Sequence, residues 1–479
     1  MAYINPILNN SLVFRRLYKY NYPNSYIGLY IQSDKMDKKI VAIALLAAII
    51  ITGSSAAILL TRDDGSSDGV TETGRVLVYG NANNDDYLDE RDVEAINKII
   101  DGDELWDKVK YPFADTNADG RITEDDVTLL KKFINNEDCL MYYKDTWGTT
   151  SYVHYPLKGK IGVMDWRQSD LAVCLNIWDD VVACGTAGMN DIKHPGFSDK
   201  AIYGSGYYVD AETVMQSGKD LGVTCLLAYT GSGGTAQEVK NALLKSGSNI
   251  DVIAVDRTDL RVMTMTTATL IGKTTEGHAY VDYCDKLLKQ TEDALMTIDA
   301  DQAKSVLIVQ VYKTTTTDNI SVMVNSPSPH PLYELLHNHT LTDVVTPIEY
   351  GSGWYSVTDA EWILDQDPDY IVFTVASSLW SKGDKDDAQI QAEFEDYCKT
   401  LFGQTTAYKN GNIIATDHSA FGGQMCYLVG YKVLSMIYPE LISAESGDEA
   451  LNAWWDLDFG NGSLEQFPQN KVRILSDKN

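Results

Sequence analysis

The sequence predicts an α/β protein of two similar lobes joined by one long helix, behind a small all-α module and a transmembrane helix. Three observations carry this. From about residue 157 onward, short apolar strands alternate with helices, the pattern that builds parallel sheets. A glycine-led segment beginning at Gly204 recurs at Gly351. Between the two copies lies one apolar stripe of helical period.

Composition bounds the function. The chain has 479 residues, 44% hydrophobic and 22% charged, which suits a folded chain of several domains. A formal net charge of −29 repels phosphate backbones, so nucleic acid is excluded as a partner. The seven cysteines (Cys139, Cys174, Cys184, Cys225, Cys284, Cys398 and Cys426) form no C-x-x-C pair, which gives no support to a zinc ribbon or a thioredoxin-like centre. Odd in number and scattered, they are expected as buried thiols rather than a disulfide framework. In an exported protein that suits a reducing habitat.

Residues 1–35 read as a cytoplasmic tail or a misassigned start ahead of Met36. Residues 40–60 are an uncharged apolar run of 21 residues, long enough to cross a hydrocarbon core of ~30 Å as a helix. Lys35, Lys38 and Lys39 precede it, and Arg62, Asp63 and Asp64 follow it. The positive-inside rule then places the N-terminus in the cytoplasm and the rest of the chain outside. The expectation is a single-pass anchor over 36–62. A cleaved signal peptide is the competing reading, because Thr52 to Ala57 offer small residues for cleavage. Residues 63–76 are a Gly/Ser/Asp/Thr linker.

Residues 77–138 hold two copies of one loop. Asn81, Asn83, Asp85, Tyr87, Asp89 and Asp92 fall at positions 1, 3, 5, 7, 9 and 12 of the first copy. Asp115, Asn117, Asp119, Arg121, Thr123 and Asp126 fall at the same positions of the second. Tyr87 and Arg121 would contribute backbone carbonyls. Converging oxygens at this spacing are EF-hand chemistry and predict two Ca²⁺ sites. Gly120 supplies the sharp turn at position 6; Asp86 holds that place in the first copy and is expected in the left-handed region. Leu88 and Ile122, at position 8, are expected to pair the loops across a short strand. Val93, Ile96, Ile99 and Ile100, then Val127, Leu130, Phe133 and Ile134, give each loop a following amphipathic helix. With Asp at position 12 and a repeat of 34 residues, the module resembles a dockerin domain. That resemblance implies a cohesin partner. Positions 10 and 11 here are Glu90-Arg91 and Glu124-Asp125, where cellulosomal dockerins carry small hydroxyl residues. A calcium-rigidified spacer therefore stands beside cohesin binding.

Residues 139–156 read as a second linker and 157–479 as the main domain, with an N-lobe over 157–262, a connecting-helix region over 263–303 and a C-lobe over 304–479. Strands are expected at 160–164, 223–228, 252–255, 305–311, 370–375 and 413–416, and helices at 236–244, 389–402 and 426–438. Both copies of the echo read as Gly-Ser-Gly, an aromatic, a short loop, then Asp-Ala-Glu opening a helix: Asp210-Ala211-Glu212 and Asp359-Ala360-Glu361. A repeat this far apart predicts two lobes. The connecting helix, expected over 276–298, carries Tyr280, Cys284, Leu287, Leu288, Thr291, Leu295 and Ile298 on one stripe. Two lobes on a rigid helix leave a cleft for a ligand.

The arrangement resembles the helix-linked (class III) periplasmic substrate-binding proteins that deliver ferric siderophores, haem or cobalamin to ABC importers. The segment 357–372 carries most of the likeness, with its Glu361-led helix, Pro368-Asp369 and apolar strand. The Asn410-Gly411 turn before a late strand, and Tyr438-Pro439-Glu440 in the closing helix, add to it. The likeness spans about 157–443, and the family's opening Ser-rich strand has no clear match. It implies an extracytoplasmic, membrane-anchored binding protein for a ferric chelate or corrinoid, without covalent chemistry. It also implies that Glu212 and Glu361 meet arginines of an ABC permease. The cleft is expected to be lined by Trp166, Arg167, Tyr229, Tyr312, Lys313, Trp354, Tyr355, Trp380, His418 and Phe421. Aromatics stack on macrocycles or catecholates, and Arg or Lys pairs with ligand oxygens. His330 and His418 are candidates for direct metal ligation, but no H-x-x-x-H spacing occurs. No G-x-S-x-G, Walker or H-E-x-x-H motif occurs either, so no enzyme is expected. The alternative is a cell-surface scaffold or adhesion protein docked through the calcium module, without transport.

Overall fold

The computed structural model describes residues 74–187, 189, 194–204, 208–228, 235–299, 302–311, 315–323, 342–343, 355–375, 387–417, 422–454, 465–466 and 472–475. The tail, the apolar run at 40–60 and nearly all of the first linker lie outside them. Among the described residues no helix is long and apolar enough to cross a membrane.

The double-loop module comes first. Its helices span Glu90–Ile100 and Glu124–Ile134. Each opens with a capping box: Asp89 with Asp92, and Thr123 with Asp126. The expected apolar positions Val93, Ile96, Val127 and Leu130 are buried together with Ala82, Tyr111 and Ala114. Two expectations need correction. Leu88 and Ile122 pack against this core, but no ladder joins them among the described residues. Asp86 is not left-handed; the left-handed residues are Asn84 (φ 56) and Ala118 (φ 57) at position 4, with Gly120 (φ 91) at position 6. Asn84 takes the turn in the first loop because its short polar side chain tolerates that region.

Residues 139–156 are not a linker. Strands β1 (Cys139–Lys144) and β2 (Thr150–Tyr155) form an antiparallel hairpin. Alternation buries Met141, Tyr143, Val153 and Tyr155 in the main core beside Val76 and Val78.

The main domain has two separate sheets. In the N-lobe, β3 (Lys160–Val163), β4 (Val181–Cys184), β5 (Ala201–Ile202), β6 (Val223–Leu227) and β7 (Asp251–Ile253) lie in the order β5-β4-β3-β6-β7. All their pairings are parallel. In the C-lobe, β8 (Ser305–Val311), β12 (Tyr370–Val375), β13 (Ile413–Asp417) and β15 (Val472–Leu475) run parallel side by side. Strands β9 (Ile320–Met323) and β14 (Glu465–Gln466) pair antiparallel at the two ends of this set. Strand β10 (Thr342–Asp343) also borders β8, and β11 (Tyr355–Thr358) borders β9. Residues 355–358, expected as a loop, are thus an edge strand. The alternating pattern survives there, but an edge strand with one exposed face carries a weak signal.

Helices Leu260–Leu270 and Thr274–Leu295 connect the lobes. The second, of 22 residues, is the expected long helix; Tyr280, Cys284, Leu287, Thr291 and Leu295 of its stripe are buried. Helix Met425–Ile437 is buried on every side, as an all-round apolar helix must be. One core runs from the hairpin through Ile161 and Val163, the long helix and Met425–Ile437 to Val306, Ile308, Val372 and Ile414 of the second sheet. Smaller cores cover the other faces, so both sheets are covered on both sides. All seven cysteines are free; six are buried and Cys139 is partly so.

Candidate functional site

Topology locates the crevice before any side chain is considered. In the N-lobe sheet the strand order reverses between β3 and β6. Ligands of open parallel sheets bind beyond the carboxyl ends of the strands at such a switch point. Strand β3 runs there into Asp165, Trp166 and Arg167.

Asp165 caps helix Trp166–Cys174, accepting the Arg167 N–H at 2.9 Å. Its second oxygen accepts from Arg167 Nη1 at 2.7 Å. Burial pushes the Asp165 carboxyl up, and the guanidinium beside it opposes that rise. Arg167 also lies 4.2 Å over the Trp166 ring. The sequence placed Trp166 and Arg167 at the cleft, and they lie at this carboxyl edge, but buried: 1% and 6% exposed. Trp166 packs on Gly422 and Gly423, ahead of the Met425–Ile437 helix; a Cβ at either glycine would stand 2.7 or 2.8 Å from its ring. A second buried pair lies alongside, His194 Nε2 to Asp170 Oδ1 at 2.8 Å. Gln424 is fully buried; its carbonyl accepts from Tyr280 Oη, and its side-chain amide has no hydrogen-bond partner. Trp166, Arg167 and Asp170 form a polar seam against Gly422 and Gly423, with Gln424 next in the chain. Gly423→Ala is expected to destabilise the protein by roughly 1–3 kcal/mol through overpacking; urea denaturation checks this.

Of the other cleft candidates, Tyr229, Tyr312, Lys313, Trp354, Trp380, His418 and Phe421 lie outside the described residues. Tyr355 opens β11, in register with Met323. His330, His337 and His339 also lie outside. Two surface cavities, of about 690 and 410 Å³, flank the hairpin. Both touch Asp251 at the amino edge of the N-lobe sheet, opposite the switch point.

Glu212 and Glu361 occupy equivalent places. Each is the second residue of its helix, Ala211–Asp220 and Ala360–Gln366. Each helix is capped by aspartate: Asp210 accepts the Thr213 N–H at 2.8 Å, and Asp359 the Trp362 N–H at 2.7 Å. Both glutamates are exposed. In a parallel sheet the helix following a strand starts at the carboxyl edge, so both stand on the crevice side. A carboxylate in a first turn is favoured by the helix dipole.

The two loops of the module share one hydrogen-bond pattern. Asn83 Oδ1 accepts the Asp85 N–H, and Asn117 Oδ1 the Asp119 N–H, both at 2.9 Å. Asp92 accepts from the Asn83 and Asp89 N–H groups, and Asp126 from those of Asn117 and Thr123. Asn81 donates through Nδ2 to Val76 O and Asp85 O, at 2.9 and 2.7 Å. Its Oδ1 is buried with no hydrogen-bond partner. An orphaned acceptor at position 1 is what a cation would satisfy. Burial pushes Asp92 up to about 7, and nearby Asp85 and Asp89 add to that. Burial raises Asp115 and Asp126 as well. The residues thus fit a hard cation, although among the described residues no group of three or more His, Cys, Asp or Glu is assembled for a metal; the rest of the donor set is amide, hydroxyl and carbonyl oxygen. Arg91 reaches Asp85 at 3.0 Å and Asp89 at 2.8 Å from outside the first loop.

Sequence reasoning missed Asp165, Asp170, His194, Gly422–Gly423 and Gln424. Asp165 is a local N-cap, an aspartate directly before a helix, and that signal was available; the others meet groups distant in the chain that no local spacing signals.

Comparison with known proteins gives two findings. Residues 79–135 match the dockerin type I domain. The solved structures this chain resembles include siderophore- and heme-binding proteins. They include the petrobactin-binding protein YclQ of Bacillus subtilis, with 16% identity over 64% of this chain and 98% of that one, TM-score 0.46. The triscatecholate siderophore-binding protein FeuA of Bacillus subtilis shows 15% identity over 62% and 98%, TM-score 0.44. The periplasmic heme-binding protein HutB of Vibrio cholerae shows 17% identity over 59% and 98%, TM-score 0.41. No curated protein matches the chain.

Proposed function

We propose that this chain is a membrane-anchored extracytoplasmic receptor that takes a ferric chelate (siderophore or haem) or a corrinoid between its lobes and delivers it to an ABC permease. One observation carries the reading. Two parallel-sheet lobes hang on one long helix, and each presents an exposed glutamate at the same place, the first turn of an Asp-capped helix on the crevice side. The sequence resemblance over 157–443 supports it as well, through the Asn410-Gly411 turn and Tyr438-Pro439-Glu440. The receptor works by binding alone: the aromatic and basic positions after the strands hold the ligand, and the two glutamates meet the permease. Trp166 and Arg167 would act as the crevice floor. In the module, Asn81, Asn83, Asp85, Asp89 and Asp92 would hold one calcium with the Tyr87 carbonyl. Asp115, Asn117, Asp119, Thr123 and Asp126 would hold a second with the Arg121 carbonyl. A cohesin is the partner the dockerin match suggests, and helix Glu124–Ile134 offers Glu124, Asp125, Thr128, Lys131 and Lys132 to solvent.

Native mass spectrometry and absorption spectroscopy, after exposure to haem, cobalamin and ferric siderophores, test the ligand. One chelate bound per chain is expected; no binding across that panel refutes the assignment. Replacing Glu212 and Glu361 together by Ala should leave chelate affinity within about twofold. Uptake should fall by at least about tenfold, since hydrogen bonds to charged groups contribute roughly 1.5–3 kcal/mol each. Undiminished uptake in the double variant removes both residues from permease docking.

A further inference from the structure

The first calcium loop does not stand free. Position 6, Asp86, accepts from the Arg75 backbone N–H and from Arg75 Nε, both at 2.7 Å. Arg75 bridges onward through Nη1 to Asp285 on the long helix Thr274–Leu295. Asp285 also accepts from Arg261 Nη1 at 3.1 Å. Position 7, Tyr87, lays its ring on His278 of the same helix, centroids 4.1 Å apart and planes 16° from parallel. The strand-like lead-in is fixed as well: the Leu77 N–H donates to Thr266 Oγ1 at 3.0 Å, and that hydroxyl donates to Arg75 O at 3.1 Å. Asn81, position 1, ties the loop back to this lead-in through Val76 O. Two consecutive positions of this loop therefore bear on the long helix, and its lead-in is fixed to the helix before it. Among the described residues the second loop shows no such tie: Gly120 and Arg121, at the same positions 6 and 7, are exposed.

We propose that the first calcium loop is a clasp on the interlobe helix: its ion fixes Asp86 and Tyr87 in the geometry that grips Asp285 (through Arg75) and His278. The module's first partner is then its own chain, and only the second loop and its helix are left for an external one. The ion and the helix stabilise each other, because linkage is reciprocal: whatever the helix contributes to ion affinity, the ion returns to the helix. This rests on the calcium reading above.

The test is calcium titration of the full chain by calorimetry, with calcium chloride as the only probe. The wild type should bind two ions. In the double variant His278→Ala/Asp285→Asn, one site should weaken by about fivefold or more, at the lower end of typical coupling between sites. The other should stay within about twofold. Tyr87→Ala, which removes the ring and keeps the position 7 carbonyl, should weaken the same site. Lys289→Ala is the control, on the same helix but paired with Asp293 one turn on; it should change neither site. Amide exchange over 274–295 should slow on calcium addition in the wild type and not in the double variant. Two unchanged sites in the double variant, or equal weakening of both, overturns the clasp and leaves the calcium reading standing. A wild type that binds no calcium overturns both.

Discussion

Chelating calcium from the full chain is expected to cost about 3 kcal/mol of stability per site, relative to protein at a hundredfold excess of ion over its dissociation constant. The physical reason is the state of the loops without the ion. Asn81 Oδ1 has no partner, and Asp92 is held by burial at a pKa of about 7, close to Asp85 and Asp89. A buried set of acceptors with too few donors is costly, and a dication removes that cost. Scanning calorimetry with calcium and with a chelator measures the difference, and Asp126→Ala should reduce the stoichiometry from two ions to one. The pH dependence has a definite sign. Asp92 has a folded pKa raised from 3.8 to about 7. Between those values the ion-free folded state binds more protons than the unfolded chain, so its stability rises as pH falls. Calcium must displace that proton. The gap between loaded and chelated unfolding midpoints should therefore narrow as pH drops from about 8 to about 6. A gap that widens would remove Asp92 from the ligand set, and identical midpoints at every pH would remove calcium from the fold.

How much of this was readable from the chain depends on the range of the forces involved. The strands 305–311 and 370–375 were legible to the residue because they are buried and read as apolar runs broken only by Gln310 and Thr374. The long helix was legible because a stripe of period 3.6 leaves a strong local signature. The paired loops of the module were legible because residues at fixed loop positions are themselves a local pattern, and the match to a dockerin type I domain covers them. Edge strands β5 and β11 were missed, since two to four residues with an exposed face give little contrast. The hairpin was missed for a different reason. Its apolar residues alternate clearly, Met141 and Tyr143 against Val153 and Tyr155, but its place between two modules reads as a connection. The polar seam at Trp166 was half legible. The sequence placed Trp166 and Arg167 beyond a strand end, yet their burial comes from Gly422 and Gly423, some 250 positions away. The shared cap geometry of Glu212 and Glu361 was legible as a repeat of Asp-Ala-Glu, and what surrounds each was not.

Tyr143→Ala is expected to destabilise the protein by about 3–5 kcal/mol, the range for truncating a buried aromatic. Tyr143 is fully buried in the main core beside Val76 and Val78. Its hydroxyl donates to Val252 O at 2.8 Å and accepts the Ala254 N–H at 3.1 Å. One side chain thus joins the hairpin to the end of β7, while Val78 pairs with its backbone from the calcium-module side. Tyr143→Phe keeps the ring and strands both backbone groups of the N-lobe, so it should cost less, roughly 1–3 kcal/mol. Denaturant unfolding of the two variants separates packing from hydrogen bonding. If the hairpin were a flexible connection, neither substitution would move the midpoint by a measurable amount. If it joins the module to the lobe, Tyr143→Ala should also diminish the calcium-induced rise in that midpoint, because the lead-in to the first loop at Val76 and Val78 packs in the same core. The size of that loss then reports how firmly ion binding in the module is fastened, through the hairpin, to the N-lobe sheet.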